Sequence, residues 1–192
     1  MLKNKKPELL NINGHRVLYF KIPNKTIHVE SIIKTGFVDE KKENSGINHL
    51  LEHVLTNAWK KCNNNRCFTY WSNRGARYNA STSNHTIEYY ISGTKNMQDD
   101  MINYIVDITL NPMILKANLD NEKQAVKTEL MRNINDNSHK LYDTYYKNFY
   151  NIEGLQYNGD WELQIKNLKK INLKDLIDWY NKYYKKHILF FI

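Results

Sequence analysis

The chain has 192 residues, 41% hydrophobic and 25% charged, which places it among ordinary globular proteins with enough apolar mass for a fair-sized core and excludes a disordered tail. Lysine and arginine outnumber the acids 28 to 20, a formal +8, but the basic residues are scattered among aspartates and glutamates, so solvated faces rather than a nucleic-acid surface are expected. No apolar run reaches the roughly 18 residues of a membrane span, and Met1 to Glu8 carries lysines without an apolar stretch or the arginine and serine of an organelle presequence. A soluble, cytoplasmic chain with neither nucleic-acid nor membrane partner is therefore expected. The two cysteines, Cys62 and Cys67, cannot form a disulfide framework and read as free thiols in a reducing compartment.

The first third reads as strands. Asn13-Gly14 is a two-residue hairpin signal between Leu9–Ile12 and Val17–Ile22, and Pro23-Asn24 turns the chain into a third strand over Thr26–Ile33. These three strands are expected to be antiparallel. A polar loop, Val38 to Asn44, leads to Ser45, an expected N-cap for a helix from about Gly46 to Asn57. A short helical segment over Phe68–Trp71 closes near Gly75, and strands return at Arg77–Ser81 and Thr86–Ser92. The remainder is mainly helical, at about 97–110, 119–135, 138–150, 162–169 and 173–184, before a last apolar strand over His187–Ile192. The order predicts an α+β domain over 1–192, a two-layer sandwich of a mostly antiparallel sheet covered by helices.

On the helix that begins near Ser45, His49-Leu50-Leu51-Glu52-His53 holds two histidines one turn apart with a glutamate before the second. Ile47, Leu51, Val54, Leu55 and Ala58 form its apolar stripe, and the two histidines point together from the opposite side. Imidazoles at this spacing supply two nitrogens to a tetrahedral Zn²⁺, and a glutamate beside them reaches a metal-bound water without being a ligand. The same pentapeptide also arises by chance on surface helices. A second helix, around Glu122 and Glu129, places both carboxylates on a face shared with Val126 and Leu130. Because burying an unpartnered carboxylate costs several kcal/mol, either that helix turns the face to solvent or a cation waits there. The C-x4-C spacing of Cys62 and Cys67 is loose for a second zinc site and His85 is the one nearby candidate to complete it, so thiols remain the reading. His15, His28, His85, His139 and His187 read individually as surface or packed residues.

His49-Leu50-Leu51-Glu52-His53, with Glu129 lying 76 positions after His53 and Glu122 seven before Glu129, resembles the inverted zinc motif of the pitrilysin family of metallopeptidases, which includes insulin-degrading enzyme and the mitochondrial processing peptidases. Gly36, Gly46-Ile47-Asn48, Gly75, Asn79-Ala80-Ser81-Thr82, Tyr89-Tyr90, Leu110-Asn111-Pro112, Trp179-Tyr180 and Tyr183-Tyr184 extend the similarity over about residues 10 to 192. The resemblance implies that His49, His53 and Glu129 bind one zinc per chain, that Glu52 is the general base, and that Glu122 orients a ligand histidine. It also implies that Asn79, Ala80 and Ser81 offer edge backbone to an extended peptide or protein substrate. The implied activity is that of a zinc-dependent endopeptidase; the alternative from another class is a metal-retaining, non-catalytic subunit that binds peptides or supports an assembly.

Two departures accompany the resemblance. The Gly-rich segment expected after the zinc helix is replaced by Thr56-Asn57-Ala58-Trp59-Lys60-Lys61. The family's second, substrate-gripping domain is not found in these 192 residues, so either the chain works with a partner, or it is a fragment, or it keeps the metal site for another purpose; a second copy or a partner subunit is expected to cover the edge strand and an abruptly ending C-terminal strand. The isolated chain is accordingly expected to be a weak peptidase or an inactive one.

Overall fold

Asn13 and Gly14 both take positive φ, 52° and 84°, the backbone of a type I′ turn whose twist matches that of the strands it joins. They connect β1 (Glu8–Ile12) to β2 (His15–Tyr19) in an antiparallel hairpin. A computed structural model describes residues 6–62, 67–149, 161–185 and 188–192, and within α5 not the side chains of 139, 142, 143, 146 and 147; the readings of His139 and His187 fall outside these. After β3 (Thr26–Ile33) and two short 3₁₀ turns come α1 (Ile47–Thr56), α2 (Cys67–Ser72), β4 (Arg77–Thr82), β5 (Ile87–Thr94) and α3 (Gln98–Leu110). Then follow α4 (Lys116–Asn135), α5 (Asn137–Phe149), α6 (Trp161–Leu168), α7 (Leu173–Tyr183) and β6 (Ile188–Phe191).

The six strands lie in the order β1-β2-β6-β3-β5-β4. β6 runs parallel to β2, with Val17 opposite Phe190, and antiparallel to β3, with Ile32 opposite Leu189; every other pairing is antiparallel. The first three strands therefore do not form one meander, and the C-terminal strand is no open edge. Its run Ile188-Leu189-Phe190-Phe191 is hydrogen-bonded on both sides in the sheet interior, with Ile188 and Phe190 buried on one face and Leu189 and Phe191 half-buried on the other. One sheet face, with Val29, Ser31, Ile33, Ile87, Tyr89, Ile91, Ile188 and Phe190, is buried beneath the helices. This is the expected two-layer α+β arrangement.

The expected stripe of α1, with Leu50 added, is buried to within 2% of full occlusion, because the helix is held between the sheet and α4. Its N-terminus is fixed by a device that local sequence did not reveal. Ser45 makes no capping bond; the position before the helix is Gly46, left-handed at φ 94°, a conformation glycine takes without steric cost. The buried Glu40 caps the helix instead, its Oε2 accepting from Gly46 N–H at 2.7 Å and its Oε1 from Asn48 N–H at 2.9 Å. Asn48 in turn donates to the Gly36 carbonyl at 2.7 Å and accepts from Trp179 Nε1 at 2.7 Å, tying α1 to α7. Gly36 has no room for a side chain, since a Cβ there would stand 2.4 Å from the Ser83 carbonyl oxygen.

The free-thiol expectation is corrected: Cys62 and Cys67 are disulfide-bonded, with Cα atoms 4.9 Å apart. Both cysteines are buried, and the start of α2 returns beside the end of the segment that follows α1. With the pair joined, the step from free thiols to a reducing compartment falls away.

Candidate active site

α1 delivers His49 and His53 from adjacent turns, their ring centroids 5.0 Å apart. Their side chains keep 13% and 21% of their surface exposed, because α4 crosses over them. α4 docks through Val126 and Leu130, both nearly fully buried, and the shared face carries the two carboxylates down onto α1. This decides between the two readings left open by the sequence: the face is not turned to solvent. Glu129 reaches both histidines, with Oε1 3.6 Å from His49 Nε2 and Oε2 3.4 Å from His53 Nε2.

His49, His53 and Glu129 form the one set of metal-ligating side chains found among the described residues, with donor atoms within 4.8 Å of one another. Ligands about 2.0–2.1 Å from a tetrahedral Zn²⁺ stand about 3.3 Å apart; the two Glu129–histidine distances of 3.6 and 3.4 Å lie close to this, and the set as a whole, within 4.8 Å, would draw inward around the ion. Two neutral imidazoles and one carboxylate also match the donor set of a zinc site that keeps a fourth position open. Glu129 remains about a third exposed, so the cluster opens to solvent on the α4 side.

Glu122 lies behind the ligands, with Oε2 3.3 Å from His53 Nδ1 and Oε1 accepting from Asn57 Nδ2 at 3.0 Å. Glu52, one residue before His53, is buried and accepts from Thr82 Oγ1 at 2.7 Å. Thr82 ends β4, so the strand carrying Asn79, Ala80 and Ser81 touches the base candidate directly. β4 pairs with β5 on one side and is a sheet edge on the other; Asn79 and Ser81 are exposed while Ala80 and Thr82 are half-buried.

Burial raises the Glu52 carboxyl above its ordinary range, against the Thr82 hydrogen bond. Burial, then the neighbouring His53 charge, pushes His49 down to about 4. Burial would also lower His53, but hydrogen bonds to Glu122 and Glu129 and the charges of Glu52 and Glu129 outweigh it and push this imidazole up to about 10. Glu129 is held below the usual carboxylate range, chiefly by His53. Without a metal, His53 is thus the imidazole whose charged form the flanking carboxylates favour, one at each ring nitrogen, and His49 the one whose neutral form burial favours.

The structure brings together His49, His53, Glu129, Glu122 and Glu52, and sets Asn79–Ser81 on the adjoining edge. Sequence reasoning passed over Thr82 and Asn57. Strand alternation from Ala80 is the signal that points Thr82 toward the helices, whereas nothing local identifies Asn57.

Residues 16–158 match the insulinase family, peptidase family M16. The β subunit of the mitochondrial-processing peptidase of Mus musculus is 29% identical over 180 residues, covering 90% of this chain and 35% of that protein. An uncharacterized zinc protease of Rickettsia felis is 24% identical over 144 residues, 74% of this chain and 35% of its own. The crystal structure of pitrilysin superposes with a TM-score of 0.80 at 18% identity, over 99% of this chain and 21% of its own. The chain thus spans about a third of each of these two relatives and a fifth of pitrilysin. With the family match covering most of its length and the paired histidines and α4 glutamate assembled within it, this chain belongs to the insulinase family of peptidases.

Proposed function

We propose that this chain carries the zinc site of an endopeptidase acting on extended polypeptides. The observation that supports this most is the convergence of His49, His53 and Glu129 within 4.8 Å beside a buried Glu52 that is not one of the three. The resemblance to a zinc protease and to a processing peptidase subunit agrees with it. Zn²⁺ held by these three residues would polarise a scissile carbonyl and acidify water.

Glu52 serves as the general base. Thr82 occupies its Oε2, leaving Oε1 to take a proton from the attacking water and later return it to the leaving nitrogen as the C–N bond breaks. Glu122 holds His53 by Nδ1 and so fixes the tautomer that leaves Nε2 unprotonated for the metal. Asn79, Ala80 and Ser81 align the substrate by backbone hydrogen bonds along the β4 edge. Groups that grip the scissile carbonyl come from outside these 192 residues, and a partner subunit is the source that the name of the mouse relative, itself a subunit, supports. The interior position of β6 removes the C-terminal strand from that argument and leaves the β4 edge.

The test is metal analysis and cleavage of a long unstructured peptide by wild type, His49→Ala/His53→Ala and Glu52→Gln. One zinc per wild-type chain is expected, little in the double variant, and full zinc without turnover in Glu52→Gln. Full zinc in the double variant overturns the ligand set. Turnover undiminished in Glu52→Gln removes Glu52 as the base, and zinc with peptide binding but no wild-type turnover under any pairing favours the non-catalytic subunit.

A further inference from the structure

We infer that Asn57 is a positioning residue of the metal centre, acting on His53 through Glu122; the inference rests on the proposed zinc site. Asn57, the residue that closes the C-terminal end of α1, follows His53 by four positions, and between them they hold a single carboxylate from α4. Oε2 of Glu122 lies 3.3 Å from His53 Nδ1, and Oε1 accepts from Asn57 Nδ2 at 3.0 Å. A carboxylate held at one oxygen can pivot about that contact. Held at both oxygens, by a residue of α1 and by the residue that caps it, it has its plane fixed, and the acceptor it offers to Nδ1–H is fixed with it.

That constraint is passed to the other ring nitrogen. His53 Nε2 lies 3.4 Å from Glu129 Oε2, so any rotation of the ring that followed Glu122 would move Nε2 out of the ligand triangle. Glu122 is nearly buried, where water is a poor substitute for a lost donor. The Asn57 backbone has separate work: its N–H bonds to the Leu55 carbonyl at the helix end, and its carbonyl accepts from Asn118 Nδ2 at 3.4 Å. Removing the side-chain amide therefore leaves the helix end in place. Asn57 and Asn118 also line a cavity, so a side chain of similar size is accommodated without displacing the packed core.

The experiment is a double-mutant cycle read as zinc affinity, by competition with a chromophoric chelator, on wild type, Asn57→Leu, Glu122→Ala and the double variant. Asn57→Ser, too short to reach Glu122, accompanies Asn57→Leu as a second probe. Far-UV circular dichroism and thermal unfolding without metal verify the fold of each. Loss of a group that orients a ligand typically lowers metal affinity by roughly 10–100-fold; an increase in Kd of about 10-fold or more is expected for Asn57→Leu and Asn57→Ser. In the Glu122→Ala background the Asn57 substitution should add nothing, because its route to the metal is already gone. Wild-type affinity in both Asn57 variants overturns the inference, as does an equal loss with and without Glu122. Wild type that binds zinc no better than His49→Ala/His53→Ala overturns the zinc site itself and this inference with it, a result distinguished by arising before any Asn57 variant is compared.

Discussion

Thr82, the last residue of the edge strand β4, donates a 2.7 Å hydrogen bond to Glu52 on α1, so the strand proposed to align the substrate also holds the proposed base. Thr82→Val keeps the shape but withdraws the donor. Hydrogen bonds to charged groups are worth about 1.5–3 kcal/mol, and a base free to turn from the site loses alignment in the transition state more than substrate binding. The expectation is a fall in kcat of about 10-fold or more with KM little changed and zinc content unaltered, and recovery in Thr82→Ser. Equal loss in Thr82→Ser and Thr82→Val would point to packing instead of the hydroxyl.

Zinc uptake is expected to release protons in a pH-dependent way. Metal-free His53 is held up to about 10 by its carboxylate partners, and His49 is pushed down to about 4 by burial and the His53 charge. At pH 7 the first must lose a proton before binding metal and the second has none to lose, so about one proton is released per zinc bound by these histidines. Affinity should rise with pH by close to tenfold per unit from about pH 6 to 9. Calorimetry in buffers of different ionisation enthalpy counts the protons directly. No net release at pH 7 would mean that His53 is already neutral.

The zinc helix was legible because its chemistry lies within five consecutive residues and its apolar stripe has helical spacing. Glu122 and Glu129 stood out for the opposite reason, as carboxylates on an apolar face, although only the tertiary structure shows that the face is covered. β6 was legible as a strand but not by place, because a four-residue apolar run fits any interior position and its partners β2 and β3 lie far away in sequence. Glu40 and Asn57 were hidden: each acts across a gap in the chain, on Gly46 and Asn48 in one case and on Glu122 in the other, and no local periodicity marks such pairs. The cysteine reading failed because a spacing unsuited to metal says nothing about whether the chain folds back to bring two thiols together.

The Cys62–Cys67 bond gives a direct expectation. Thiol titration of the unfolded, unreduced protein should find no free cysteine. Closing a loop of this size restricts the unfolded chain by about 2 kcal/mol in the entropy model. Reduction, or replacement of both cysteines by serine, should lower the unfolding free energy by about that amount while the zinc helix, anchored elsewhere, keeps its metal. Two reactive thiols in the isolated protein before any reductant would contradict the pairing.

Glu40 sets a pH dependence of its own, separate from the histidines. Burial raises its carboxyl to about 7, outweighing the hydrogen bonds from Gly46 and Asn48 and the amide of Asn48 that favour its charged form, while the nearby Asp39 charge adds to the rise. The folded value exceeds the unfolded value of about 4.5, so the folded state binds the proton more tightly. The stability gained this way is fully present below pH 4.5 and is lost as pH rises through 7, a total of about 3 kcal/mol at most. Glu40→Gln cannot ionise and offers one acceptor oxygen to the two N–H groups, so one of them loses its partner at a cost of about 1–3 kcal/mol. The variant is therefore expected to be the less stable protein at pH 4.5, with the gap narrowing toward pH 8 as the wild type loses its advantage. Urea unfolding of both proteins across this range, followed by tryptophan fluorescence with a chelator present, isolates Glu40 because other titrating groups cancel in the difference. A gap that stays constant from pH 4.5 to 8 would show that Glu40 binds its proton no more tightly in the folded than in the unfolded chain and caps α1 as an ordinary carboxylate.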